Sequence, residues 1–241
     1  METKCSPYDI IFLDIETVPA YSGIEKLPPE EKKHWIWKEK QLSGNQVAEP
    51  GMLYERAGIY AEFGKIICIC AGALFEDDGV IYLRLKTFSH KKEKDLLFAF
   101  FTWISNQTNA STRLCAHNGK EFDFPYLCRR LLIHGIPLPG VLNLAGKKPW
   151  EIKHIDTLEL WKFGDYKHFT SLDLLAHAFG LKSPKENMNG SMVNEYYYRK
   201  KDLRSIRKYC EDDILTLVAV YLNMQGQKEF LPRHTEVERV T

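Results

Sequence analysis

The stretch IIFLDIETVP at residues 10–19 constrains the fold more than any other part of this 241-residue chain. Its β-branched and aromatic content predicts a buried strand, yet Asp14 and Glu16 interrupt the apolar run. Residues two apart on a strand project from the same face, so the two carboxylates would lie together. Buried like charges are costly unless a cation neutralises them, and hard oxygen ligands favour Mg²⁺ or Mn²⁺. An exposed strand end with solvated acids is the alternative interpretation.

Composition narrows the class of protein. Apolar residues make up 44% of the chain and charged residues 27%, which is typical of a soluble globular domain, and the net charge is +1. A polyanion would therefore be bound by a local patch or through metal. The N-terminus lacks the layout of a signal peptide, and no apolar run reaches the roughly 18 residues of a membrane span. We expect no membrane association and a cytoplasmic location.

The six cysteines form no CxxC pair. They are interpreted as reduced core thiols of an intracellular protein rather than a disulfide framework. Cys68 and Cys70 share a strand face, so a metal site at that pair is the alternative.

The order of the predicted elements indicates an α/β fold with a mixed β-sheet flanked by helices. The first strand, at 8–17, is followed by a segment, residues 19–64, that looks like an insertion containing a short helix. The final residues, 230–241, are polar and are expected to form a flexible tail of a single domain spanning 1–241. Further strands are predicted at 65–75, 80–88, 112–119 and 154–160, and helices at 93–107, 123–135, 171–180 and 202–225.

A second polar motif, AHNGKEFDFPYL, occupies residues 116–127. A strand is expected to end at His117 and Asn118, a glycine turns the chain, and Asp123 lies just inside the next helix. Because the helix dipole favours a carboxylate at this position, capping is one interpretation of Asp123. The other is a third metal-site carboxylate at the sheet edge, where α/β proteins often bind ligands.

A third motif, YCEDD, covers residues 209–213 of the predicted long helix. Tyr209 and Asp213 are four residues apart, so they share a helix face one turn apart. Asp213 would reach a metal ion while Tyr209 holds a water molecule near it. Asp212 points elsewhere on the helix and is expected at the surface.

Together these motifs resemble the DEDD superfamily of 3′→5′ exonucleases, which carries D-x-E, N-x-x-x-F-D and Y-x-x-x-D in this order. The position five residues before the last acid is Lys208 rather than histidine, so the resemblance is to the tyrosine subtype. It spans most of residues 8–222, is closest to stand-alone relatives of the family-B DNA polymerase proofreading domain, and implies a ribonuclease H-like fold. The matching residues are Asp14, Glu16, Asn118, Phe122, Asp123, Tyr209 and Asp213.

The resemblance implies two-metal hydrolysis of phosphodiester bonds from the 3′ end of single-stranded nucleic acid, with DNA favoured. Two Mg²⁺ or Mn²⁺ ions would clamp the attacking and leaving oxygens, and nucleoside 5′-monophosphates would be released. Because a phenol has a pKa of about 10, Tyr209 is expected to orient water rather than deprotonate it. The implied catalytic residues are Asp14, Glu16, Asp123, Tyr209 and Asp213, of which the four acids are the metal ligands.

Substrate contacts are also carried over from the resemblance. The backbone N–H of Thr17 would meet the terminal 3′-OH, and Val18 or Phe122 would pack beside the terminal base. Asn118 would donate a hydrogen bond to a phosphate or sugar. For each of these residues a local turn or core role is the alternative.

Three further features allow two interpretations each. The basic stretch at 199–208 would track phosphates or would be a solvated helix face. Trp35 and Trp37 would stack on bases or would pin a loop to the body of the protein. Asp156 would support the metal site or would start the following segment.

Other functions remain open at this point. Catalytic residues alone do not separate an exodeoxyribonuclease from an exoribonuclease, since that choice depends on contacts to the 2′ position. A non-catalytic ribonuclease H-like binding module or a structural subunit would not need the four-acid set. A polymerase activity would have to come from a partner protein.

Overall fold

The computed structural model describes residues 5–44, 49–165, 169–181 and 188–241 of the chain. Its centre is a six-stranded mixed sheet with the strand order β5-β4-β1-β2-β3-β6. β1 pairs antiparallel with β2 and parallel with β4, while β2 and β3 form an antiparallel hairpin and β3 pairs parallel with β6. The strands are β1 Ile10–Pro19, β2 Gly64–Asp77, β3 Val80–Phe88, β4 Arg113–Ala116, β5 Ile155–Asp156 and β6 His234–Val240.

Helices cover both faces of the sheet, as the sequence predicts. The alternation of β1 explains the two cores, because Ile10 and Phe12 pack towards the helix Leu203–Gln225, while Ile11 and Leu13 pack towards the helices Glu93–Gln107 and Asp123–Ile133. A π-helical turn, Tyr196–Lys200, follows α6. The helices are α1 Pro29–Ser43, α2 Glu93–Gln107, α3 Asp123–Ile133, α4 Thr157–Lys162, α5 Leu172–Ala178, α6 Val193–Glu195 and α7 Leu203–Gln225.

The strand predicted at 154–160 is wrong over most of its length. Only Ile155–Asp156 is extended, and the chain then forms helix α4. The Asp156 carboxylate accepts hydrogen bonds from the N–H groups of Leu158 and Glu159, at 2.9 and 3.4 Å. This N-cap ends the strand and starts the helix.

The flexible tail expected at 230–241 is also wrong. Residues His234–Val240 form β6, which pairs along its length with β3 at the edge of the sheet. Two cross-strand ion pairs join these strands, Arg84 to Glu236 at 3.0 Å and Lys86 to Glu238 at 2.7 Å. Opposite charges on facing positions stabilise the pairing of an otherwise polar strand.

The insertion between β1 and β2 packs as an ordered layer over its described residues. Trp35 of α1 is fully buried, and the rings of Tyr54 and Phe63 pack edge-on against it. Trp35 therefore pins the insertion to the body and is not available for base stacking, whereas Trp37 is 64% exposed. The Glu39 carboxylate accepts N–H hydrogen bonds from Gly51 and Leu53 at 2.7 and 2.6 Å.

All six cysteines are free thiols, and four of them are fully buried. This agrees with the interpretation as core thiols. Within the described ranges, no helix combines the length and the apolar character needed to cross a membrane.

Candidate active site

Strand β1 places the first two acids at the centre of the sheet. Asp14 lies opposite Cys70 and Glu16 opposite Cys68 in the antiparallel pairing with β2. Both side chains project from the face that α7 covers, as their spacing predicts. Glu16 is only 7% exposed. Ligand atoms of Asp14, Glu16 and Cys210 lie within 4.8 Å of one another, so this face can hold a cation.

Helix α3 brings the third acid to the same place. Asp123 is the first residue of α3 and is 4% exposed. Its Oδ1 atom accepts a hydrogen bond of 3.2 Å from the backbone N–H of Ile15, the residue between the two acids of β1. This contact joins residues 108 positions apart and fixes Asp123 against the centre of the D-x-E motif.

The turn before α3 has a tightly constrained backbone that positions Asp123. Asn118 has a left-handed backbone with φ of 62°, and an added Cβ at Gly119 would lie 2.3 Å from the Cβ of Ala116. The Asp156 carboxylate accepts N–H hydrogen bonds from Asn118 and Lys120 at 2.9 and 3.0 Å. Asp156 thus caps α4, which confirms that it starts the following segment, and it also braces this turn, while its support of a metal site stays a prediction.

Helix α7 supplies Tyr209 and Asp213 on one face, one turn apart. A side-chain hydrogen bond joins them, and Asp213 is 7% exposed. Burial and the negative charges of Asp213, Glu16 and Asp14 raise the pKa of Tyr209. The phenol therefore keeps its proton at neutral pH in the absence of other charges at the site.

The carboxylates of the cluster raise one another's pKa values. Burial, followed by the charges of Asp213 and Asp123, raises the pKa of Asp14 well above its usual range. Burial raises the pKa of Asp123 to about 7, with the charges of Asp156 and Asp213 adding to the effect. Three separate elements thus place carboxyl groups around a shared volume that disfavours their charged forms.

Cys210 is a member of the cluster that the sequence interpretation missed. Its Sγ donates to Asp14 Oδ2 at 3.1 Å. It is fully buried and hydrogen-bonded to Cys68 and Cys70 on β2. The sequence carried one signal for thiols near the acids. Cysteines alternate at positions 68 and 70 on β2, and they pair with the alternating acids at 14 and 16 on β1.

Several expectations about neighbouring residues need correction. Val18 is fully buried in the core between the sheet and α7, so it does not reach a terminal base. Asp212 is 6% exposed rather than at the surface, and it pairs with Lys208. Thr17 and Phe122 line an open cavity beside Glu16, so contacts of these two residues with a substrate remain predictions.

The comparison with protein families gives a match over most of the chain. Residues 59–241 match the family described as "Predicted 3'-5' exonuclease related to the exonuclease domain of PolB". The chain belongs to this family. The matched segment contains Asp123, Tyr209 and Asp213, while Asp14 and Glu16 precede it and are joined to it by the fold.

A solved structure shows the same fold. It is the family B DNA polymerase from the hyperthermophilic archaeon Pyrobaculum calidifontis, with a TM-score of 0.51 and 14% sequence identity. The match covers 92% of this chain and 27% of the polymerase chain, so this chain spans about a quarter of that protein. The mixed sheet flanked by helices thus agrees with the ribonuclease H-like fold of the polymerase exonuclease domain. No curated protein matches the chain.

Proposed function

We propose that this protein is a metal-dependent 3′→5′ exonuclease of the tyrosine subtype that acts on single-stranded DNA. The observation that carries the proposal is the convergence of β1, α3 and α7 on one buried volume. These elements bring together Asp14, Glu16, Asp123, Tyr209 and Asp213.

The acid cluster fits a pair of Mg²⁺ or Mn²⁺ ions. Burial and neighbouring carboxylates raise the pKa values of Asp14 and Asp123, and a cation among these groups would favour their charged forms. Hard carboxylate oxygens suit these ions, and Asp14, Glu16, Asp123 and Asp213 would hold them. When bound, the ions would activate water and stabilise the leaving 3′ oxygen of a phosphodiester.

The role assigned to Tyr209 is to position the attacking water molecule. A phenol has a pKa of about 10, so its hydroxyl stays protonated at neutral pH, and the hydrogen bond with Asp213 fixes the side chain. A protonated phenol orients water by hydrogen bonding and does not remove its proton at neutral pH. Attack on the last phosphodiester would release a nucleoside 5′-monophosphate.

The strand end would enter through the cavity beside Glu16. Thr17 and Phe122 line it, which suits the roles proposed for the Thr17 backbone at the 3′-OH and for the Phe122 ring beside the terminal base. Asn118 lies in the turn braced by Asp156, where its side chain would bind the phosphate or sugar.

The test uses 5′-labelled DNA and RNA oligomers of matched sequence, with Mg²⁺, with Mn²⁺ and with EDTA. The proposal predicts a ladder of single-stranded DNA shortened from its 3′ end, formed with metal only. Faster consumption of RNA would replace the DNA assignment with an exoribonuclease. Binding of either strand without any hydrolysis under all conditions would favour a non-catalytic binding module.

A further inference from the structure

The sheet is irregular immediately after the D-x-E motif. Glu16 lies opposite Cys68 in the pairing of β1 with β2. The next residue of β1, Thr17, lies opposite Ile66, so Ile67 has no counterpart and the strands form a β-bulge. A bulge interrupts the ladder of backbone hydrogen bonds and redirects the side chains beside it. The regular ladder alone therefore does not fix the direction of the Glu16 side chain.

Tyr126 contacts the bulge from α3, where it lies three residues after Asp123. Its buried hydroxyl donates to the Gly58 carbonyl of the insertion at 2.8 Å. The Thr17 side chain acts on the same hydroxyl as a hydrogen-bond donor. An added Cβ at Gly64, the first residue of β2, would lie 2.2 Å from this hydroxyl, so β2 also approaches it closely. One hydroxyl thus joins α3, the insertion and both strands of the bulge.

Tyr198 contacts the same end of β1 from the π-helical turn. Its hydroxyl donates towards the carbonyl oxygens of Pro19 and Ala20, at 2.6 and 2.9 Å. The ammonium group of Lys65 lies 5.2 Å from the ring centroid of Tyr198 and 4.8 Å from that of Tyr197, which favours this ring arrangement. The π-helical turn ends two residues before α7, so this contact joins the end of β1 to the helix that carries the last two residues of the candidate site.

We propose that Tyr126 and Tyr198 are positioning residues, which hold the β-bulge and so keep Glu16 directed at the metal ions. The two tyrosines act from opposite faces of the sheet, because Tyr126 belongs to the core under α2 and α3 and Tyr198 packs on the core under α7. The inference rests on the proposed exonuclease function. It also gives the insertion a part in the site, because the Gly58 carbonyl is the acceptor for Tyr126.

The first test is amide hydrogen exchange of the metal-free full chain, followed by mass spectrometry. Tyr126→Phe and Tyr198→Phe should each speed exchange at residues 15–18 about tenfold relative to strand β3, because a hydrogen bond that holds the bulge is lost. Tyr221→Phe is the matched control, since Tyr221 is buried on α7 and its hydroxyl forms no hydrogen bond with any residue in the described ranges. Exchange at 15–18 that is unchanged in both variants, or raised no more than in β3, would overturn the inference.

The second test asks whether the two tyrosines act through Glu16. Tyr126→Phe should raise the Mn²⁺ dissociation constant, measured by electron paramagnetic resonance, about tenfold, because a metal ligand is less well held. In a Glu16→Gln background the same change should alter the remaining Mn²⁺ binding by less than about twofold. Mn²⁺ affinity unchanged in both phenylalanine variants, or an equal loss with and without Glu16→Gln, would make the tyrosines structural residues only.

Steady-state hydrolysis of a single-stranded DNA oligomer separates this inference from the proposed function. Tyr126→Phe should lower kcat about tenfold and leave KM within about threefold, because the reacting groups are misplaced while the strand still binds. If the wild type hydrolyses no strand, the proposed function fails, and weaker Mn²⁺ binding by Tyr126→Phe still supports the positioning role. If the wild type hydrolyses DNA and both phenylalanine variants keep its kcat, the positioning role alone fails. A wild type that binds no Mn²⁺ overturns both.

Discussion

The protein buries acidic side chains in two different ways. Glu93 accepts a hydrogen bond of 2.8 Å from Nε of Arg130, and the side chains of this ion pair are 7% and 9% exposed. Glu211 on α7 accepts bonds of 2.9 and 2.7 Å from the guanidinium of Arg239. Asp14, in contrast, receives the thiol of Cys210 and forms no ion pair with any residue that the structure describes.

The difference separates acids that stabilise the fold from those that we propose to bind metal. A buried carboxylate with a guanidinium partner ties together distant elements, as Glu93 ties α2 to α3. Asp14 of the D-x-E motif has no such partner among the described residues, and burial, followed by the charges of Asp213 and Asp123, raises its pKa. Unfavourable electrostatics of this kind persists in a folded protein where function requires it.

The largest stability effect is expected at Glu93, the acid that is paired with Arg130. Glu93→Gln removes the charge that pairs with Arg130 and leaves a buried guanidinium without its counter-ion, which costs about 3–5 kcal/mol of unfolding free energy. Urea denaturation measures the loss. Glu229→Gln, at an exposed acid, is the control and should change stability by less than about 0.5 kcal/mol. Equal stability of the two variants would remove the distinction between the two kinds of acid.

At Asp14, which has no guanidinium partner among the described residues, we expect a loss of activity together with a gain of stability. Asp14→Asn should lower single-strand hydrolysis about 10²–10³-fold, because a group that stabilises developing charge at the site is lost. The same change should raise the melting temperature of the metal-free protein, because it removes a carboxylate whose charged form is disfavoured by burial and by the charges of Asp213 and Asp123. Activity assays and thermal unfolding in EDTA check the two parts. Retained activity would contradict the catalytic assignment, and a lower melting temperature would contradict the electrostatic one.

The metal-free protein should lose stability as the pH rises towards neutrality. The pKa of Asp123 is about 7 in the folded protein, above the 3.8 of an unperturbed aspartate. Stability from the protonated form is thus complete below pH 3.8 and disappears as the pH rises through 7. Melting temperatures in EDTA between pH 5 and pH 8 measure this slope, which Asp123→Asn should flatten. A slope of the same size in that variant would assign the effect to other groups.

The smallest effect is expected from the thiol beside Asp14. Cys210→Ala removes the donor to Asp14 Oδ2, so the concentration of Mg²⁺ needed for half-maximal hydrolysis should rise about tenfold. Cys210→Ser keeps a donor and should shift that concentration less. A Mg²⁺ requirement unchanged in both variants would make Cys210 a packing residue only.

The acids and the tyrosine could be predicted from the sequence because their chemistry depends on local spacing. The two-residue step from Asp14 to Glu16 fixes a strand face, and the four-residue step from Tyr209 to Asp213 fixes a helix face. The structure places these residues together with Asp123. Their catalytic roles remain predictions until activity is measured.

The errors arose where long-range contacts decide the outcome. Strand β6 looks like a polar tail because it is stabilised by cross-strand pairs with Arg84 and Lys86, some 150 residues away in the chain. The buried state of Val18 depends on packing against α7, and the contact of Cys210 depends on the register between β1 and β2. Local sequence patterns carry none of this information.

The most direct test of the central claim is a count of the divalent ions held by the acid cluster around Asp14. Mn²⁺ titration followed by electron paramagnetic resonance should show two ions bound per chain in the wild type. Asp14→Asn should lose this binding, and Glu211→Gln, altered at a compensated acid on the same helix as Asp213, should keep it. A wild type that binds no Mn²⁺, or an Asp14→Asn variant that binds it as well as the wild type, would contradict the account.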